Sequence, residues 1–148
     1  MWYLSASCFL FNNNQIYIAQ VFQCFVGEEN PIKVLDLNGK IIKGFDKFYH
    51  DPEERIYLLE TYYDTNLSKI YIIAGGRNKA KSYDLKENKI YRIYDGKPNK
   101  FAEFHNLVIK KNSDKVKIMG YGEDSFIIWD FHLGEFKIYK DKRYIKIV

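Results

Sequence analysis

Cysteine is scarce in this sequence: Cys8 and Cys24 are the only two in 148 residues. That is too few for a disulfide scaffold, and neither has a second cysteine or a histidine at metal-ligand spacing. Their apolar neighbours predict reduced, buried thiols, as in a cytoplasmic protein. Basic residues are absent before Lys33, so residues 1–31 carry only the two charges of Glu28 and Glu29, leaving +6 on the remainder for a net +4. The opening MWYLSASCFLF is apolar but lacks a basic start and runs straight into NNNQ. It therefore predicts neither a signal peptide nor a membrane span. A strand over Trp2–Phe11, an Asn-rich turn and a second strand from Ile16 fit it better. Arginine is rare, and the lysines alternate with acids along the chain. That pattern is solvated surface rather than the one-sided basic face of a nucleic-acid binder.

Catalytic constellations are also missing. The three histidines have no metal-like spacing. His50 lies in HDPEE, a solvated connecting loop, and His132 lies in FHLGE, a turn that asks for no special role. No Ser-His-Asp or Cys-His arrangement and no isolated carboxylate pair stands out. The expectation is a chain with no cofactor and no metal.

What the chain does hold is aromatic and β-branched residues, with 13 Tyr and 11 Phe. Such side chains suit a pleated, half-buried surface. No segment longer than about ten residues has convincing helical periodicity. One stretch invites a different reading. AGGRNKAKS, from Ala74 to Ser82, matches a phosphate-binding loop except that Ala80 replaces the second glycine. It follows the apolar run IYII, and FIIWD further on could supply a Mg²⁺-binding aspartate.

An internal repeat accounts for these residues without a nucleotide. Asp36, Asp84 and Asp130 each close an apolar run. The segments Val21–Asp36, Lys69–Asp84 and Lys115–Asp130 align without a gap, and each is followed by a further short strand: GKIIKGF, NKIYRIY and GEFKIYK. A strand also precedes each block, as ERIYLLE and HNLVIKK in the later units and Trp2–Phe11 in the first. Each period thus holds about four short strands joined by turns rich in Gly, Asn and Asp. Gly75–Lys79 becomes one of three equivalent hairpin turns. A phosphate loop needs a following helix, whereas KSYDLKENKIYRIYD alternates as a strand does.

A period in the mid-forties, four strands per unit and an aromatic-Asp pair ending the third strand resemble WD40 repeats. The segment Tyr121–Tyr139, YGEDSFIIWDFHLGEFKIY, carries this best, and Leu35-Asp36 and Tyr83-Asp84 stand for Trp-Asp in the other units. The resemblance implies an all-β, partial WD40-type β-propeller of about three four-stranded antiparallel blades, over 1–45, 54–95 and 105–140, with 141–148 starting another. It implies structural roles for Asp36, Asp84, His105, Trp129 and Asp130. His105 and Trp129 would be linked, although Phe104 replaces the family's Gly and its Ser position reads Val26, Ala74 and Gly120. Three blades fall short of a closed ring, so the resemblance implies a fragment, self-association, or another chain completing the ring.

Members of that family usually bind proteins or peptides across the turns between second and third strands and the links between blades. Carried onto this chain, those positions are Arg77, Asn78 and Lys79; Glu123 and Asp124; and Lys97, Lys100 and Phe101. The resulting expectation is a non-catalytic interaction scaffold with a protein or peptide partner, no nucleic acid and no membrane. The alternatives are an accessory propeller segment of a larger enzyme such as a kinase, or a nucleotide hydrolase using residues 75–82.

Overall fold

A computed structural model describes residues 2–12, 14–24, 32–45, 56–76, 79–95, 108–112, 115–121 and 126–139. Among the described residues, twelve strands form three four-stranded sheets, each a meander in chain order, and there is no helix. Sheet 1 consists of β1 (Trp2–Asn12), β2 (Gln15–Cys24), β3 (Ile32–Leu35) and β4 (Ile41–Phe45). Sheet 2 consists of β5 (Ile56–Asp64), β6 (Lys69–Gly76), β7 (Lys79–Asp84) and β8 (Lys89–Asp95). Sheet 3 consists of β9 (Val108–Asn112), β10 (Lys115–Tyr121), β11 (Phe126–Asp130) and β12 (Phe136–Tyr139). The all-β expectation holds for the described residues.

Two cores join the sheets face to face. Leu10, Ala19, Ile32 and Val34 of sheet 1 pack with Leu59, Ile72, Ala74 and Tyr83 of sheet 2. The other face of sheet 2, with Tyr62, Tyr71, Ile73 and Tyr94, packs with Val116, Ile118, Ile127, Trp129 and Phe131 of sheet 3. Sheet 2 is therefore the middle layer, covered on both sides. This explains why β6 reads as a continuous apolar run, whose residues 70–74 are all buried. In sheet 3 the alternation is strict: Val116, Ile118, Ile127 and Trp129 are buried while the residues between them are not. The Thr61 hydroxyl also donates to the Phe9 carbonyl, tying β5 to β1.

The aspartates of the repeat have a common local task. Each sits where a strand turns into a hairpin and accepts amide protons from the turn through Oδ1. Asp36 accepts from Asn38 and Lys40, Asp84 from Lys86 and Glu87, and Asp130 from His132 and Leu133, all at 2.9–3.0 Å. Such side-chain capping spares a tight turn from leaving its amides unpaired. A fourth aspartate, Asp64, does the same for Asn66 and Leu67 between β5 and β6. The residue four positions on takes positive φ in three of these turns: Ser68 at 51°, Asn88 at 56° and Gly134 at 74°. The turn after Asp36 is one residue shorter, with Gly39 at 83°.

The first unit departs from the gapless alignment. In sheets 2 and 3 the capping aspartate pairs with the third residue of the preceding strand, Tyr71↔Asp84 and Lys117↔Asp130. In sheet 1 the register is Ile18↔Leu35 and Ala19↔Val34, which brings Tyr17 level with Asp36. The strand equivalent to β6 thus begins at Gln15, not Val21, and the connection from β2 to β3 is correspondingly longer. Ile16–Val21 and Val21–Phe25 are both mostly apolar, so they look alike in sequence. Pairing with the long β1 decides between them, because it extends β2 from Gln15 opposite Asn12.

Two tyrosines at the seam between sheets 2 and 3 make opposite predictions. The Tyr94 hydroxyl donates to the Phe131 carbonyl at 2.7 Å and meets the Ser82 hydroxyl at 3.1 Å, with all three residues buried. Among the described residues, the buried Tyr71 hydroxyl has no hydrogen-bond partner. Removing a satisfied buried hydroxyl leaves its partners stranded, whereas removing an unsatisfied one relieves a desolvation cost. Tyr94→Phe should therefore lose about 1–2 kcal/mol in urea denaturation, and Tyr71→Phe should lose nothing or gain up to ~1 kcal/mol. Equal losses from the two variants would contradict this seam.

Candidate functional site

The strands place the connections at two ends of the sheets. One end holds the β1–β2, β3–β4, β5–β6, β7–β8, β9–β10 and β11–β12 turns, including all four capped by aspartate. At the opposite end β2, β4, β6, β8 and β10 finish and β3, β5, β7, β9 and β11 begin. Lys79 is the first residue of β7. Arg77, Asn78, Glu123, Asp124, Lys97, Lys100 and Phe101 lie outside the described residues, as do His50, His105 and 141–148.

The phosphate-loop stretch is a β-hairpin. Gly75 and Gly76 end β6, Lys79 begins β7, and Gly75 pairs with Ala80. Lys81 and Ser82 pair with Ile93 and Arg92 of β8 and are buried. The described residues of this stretch form no helix N-terminus, and the Ser82 hydroxyl is engaged with Tyr94. Asp130 likewise caps its turn through Oδ1.

At the aspartate-capped end, sheets 2 and 3 build a polar cluster that the sequence reading did not anticipate. His132, for which the sequence asks no role, bridges the two sheets. Its Nε2 lies 3.2 Å from Asp64 Oδ2, and its Nδ1 lies 2.9 Å from the Tyr91 hydroxyl. An Nε2–H tautomer satisfies both contacts, donating to the carboxylate and accepting from the phenol. Beside it, Lys69 Nζ pairs with Asp84 Oδ2 at 3.0 Å. Burial alone would raise the Asp84 carboxyl. The Glu87 amide, the Lys69 ammonium and the Lys86 amide outweigh it and hold the carboxyl below its ordinary value. The Lys69 ammonium is correspondingly raised, first by its hydrogen bond to Asp84, against the opposing effect of burial.

An aromatic layer surrounds this cluster. The Phe131 ring, carried on the β11–β12 turn, packs against Tyr62 at 5.1 Å, Tyr71 at 5.0 Å and Tyr91 at 5.6 Å. Burial, reinforced by neighbouring acidic groups, pushes the Tyr71 phenol to about 12, so it is neutral at any ordinary pH. Burial also pushes the Cys8 thiol to about 12, with Glu60 adding to the effect, so this thiol is a poor nucleophile. The Asp64–His132–Tyr91 chain is a fixed hydrogen-bond relay that ends on a phenol within an aromatic layer. Its geometry locks the turn of sheet 3 onto sheet 2. Among the described residues, no group of three His, Cys, Asp or Glu side chains could hold a metal ion, and no helix is long and apolar enough to cross a membrane.

A sequence signal for part of this cluster does exist. Residues 64–69, DTNLSK, have the same form as 84–89, DLKENK, with a leading aspartate, a positive-φ residue and a lysine. The inter-sheet contacts of His132 and Tyr91 have no such local signature. No protein-family model matches the chain, and no curated protein matches it either.

Proposed function

We propose that the chain is a non-catalytic interaction module, built as part of a WD40-type propeller, that holds a protein or peptide partner. The observation that best supports the reading is the stack itself: three meander sheets, packed face to face, each with its third strand closed by a turn-capping aspartate. At the seam between sheets 2 and 3, Asp64, Ser82, Tyr91, Tyr94 and His132 are engaged in contacts that hold the sheets together, which favours a role carried by surface over one carried by a reaction centre. The partner face in this reading is the end where β7 begins at Lys79, and the residues proposed for it are Arg77, Asn78, Lys79, Glu123, Asp124, Lys97, Lys100 and Phe101. A basic turn near an acidic one can orient a charged segment.

The double charge reversal Arg77→Glu/Lys79→Glu tests that face. Lys79 is the first residue of β7 and Arg77 falls between β6 and β7 in the chain, so the melting temperature should stay within a degree or so. Partners identified by affinity capture with the parent chain should bind the variant at least about tenfold more weakly, a change of ~1.4 kcal/mol. Unchanged capture with an unchanged melt would remove this end from the reading.

A further inference from the structure

The two cores repeat one register pair. Ile72↔Tyr83 in sheet 2 and Ile118↔Trp129 in sheet 3 are equivalent cross-strand pairs, and each is buried against the preceding sheet. The same pair in sheet 1 is Ile18↔Leu35, and no described sheet precedes it. Its face continues through Phe9↔Ile18, Phe11↔Ile16 and Leu35↔Ile41 into a contiguous apolar surface, on which Phe9 is 69% and Phe11 62% exposed. A patch of this kind is unusual for a surface meant to face water. Lys33 also lies on this face, but its equivalent Lys81 is only 6% exposed, so a lysine here is compatible with a covered sheet.

The forward faces repeat in the same way. Ala19↔Val34 of sheet 1 and Ile73↔Ser82 of sheet 2 are buried against the following sheet. Their equivalent in sheet 3 is Met119↔Ile128, half-buried on the last face of the stack, beside the stacked rings of Phe126 and Tyr139. The chain therefore carries both halves of an interface that it already makes twice within itself.

We propose that these two faces are complementary docking surfaces for a second copy of this chain, arranged head to tail. Met119 and Ile128 of one copy cover Ile18 and Leu35 of the other, and two copies close a ring of six sheets. Six lies within the four to eight sheets that such rings accommodate. The arrangement is heterologous, since different faces meet, and closure after two copies prevents open-ended growth. The inference stands on the register equivalence of the sheets and not on the identity of any other partner.

Sedimentation of the purified chain tests it, with two single variants that put a charge on one face each. The parent chain should sediment as a dimer. Phe9→Glu, on the first face, and Ile128→Glu, on the last, should each abolish that dimer while keeping the β-sheet circular dichroism of the parent. Mixing the two variants should restore a species of two chains, because each retains the face that the other has lost. Phe11→Glu and Tyr139→Glu, both at exposed positions, repeat the test should either first variant fail to fold. A parent chain that is monomeric at every concentration would overturn the proposal. So would a dimer lost with Phe9→Glu, untouched by Ile128→Glu and not restored by mixing, since that pattern means the first face pairs with itself. A mass that keeps growing with concentration would overturn the closed ring.

Discussion

Truncating Trp129 to alanine should cost about 3–5 kcal/mol, a large share of the ~5–15 kcal/mol by which a domain of this kind is stable. The indole is completely buried on β11, opposite Ile118 and Phe136, with its ring 6.3 Å from that of Tyr94 across the seam. Its removal takes away the largest side chain of the second core and leaves a cavity flanked by strands of two sheets, which cannot collapse without moving one against the other. Ile127→Val, on the same strand and in the same core, should cost only ~0.5–1.5 kcal/mol. Urea denaturation of the two variants measures the difference. A Trp129→Ala loss no larger than that of Ile127→Val would mean the second core is not packed as described.

Asp84→Ala should be the next most damaging change, at about 2–3 kcal/mol. The side chain is about 1% exposed yet satisfies the Lys86 and Glu87 amides through one oxygen and the Lys69 ammonium through the other. Alanine would leave the two amides without their acceptor and the ammonium without its counter-charge. The same site sets a pH dependence. The folded-state value of Asp84 lies below its ordinary 3.8, so its contribution is complete above the unfolded-state value. It is lost as the pH falls through the lower folded value. Asp84→Asn should therefore be less stable than the parent at neutral pH, and the two should converge in acid. On the alkaline side the raised Lys69 value has the opposite sense: its contribution is complete below 10.5 and is lost above the folded value. Stability profiles that stay parallel down to the lowest pH would show that Asp84 is not held ionised by these contacts.

The features legible in the sequence were those with a local cause. The continuous apolar run of β6 suits a strand covered on both faces, whereas β11, FIIWD, is just as apolar in sequence and alternates only in its burial. The aspartates at 36, 84 and 130 are legible because a hairpin turn needs an acceptor at a fixed offset. The same logic, applied to residues 64–69, would have found Asp64 as well. The register of sheet 1 was not legible, because β2 is mostly apolar over its whole length and only pairing with β1 fixes where it starts. The Asp64–His132–Tyr91 bridge joins residues far apart in the chain, from two sheets. Nothing in the spacing of three single residues announces a contact made only when two sheets stack. Ser82 is the instructive case: beside Lys81 it looks like the end of a phosphate loop, and the seam uses its hydroxyl to hold Tyr94.

The docking faces and the shared seams both depend on the stacking order of the three sheets, and nuclear Overhauser contacts in the monomeric Phe9→Glu variant test it most directly. Contacts should appear between the Tyr94 ring and the Trp129 indole, and between methyl groups of the first core, such as those of Val34 and Ile72. Both sets in one molecule would place sheet 2 between its neighbours. Strand pairing within each sheet without either set of inter-sheet contacts would contradict the stack, and with it the shared seams from which the docking faces were read.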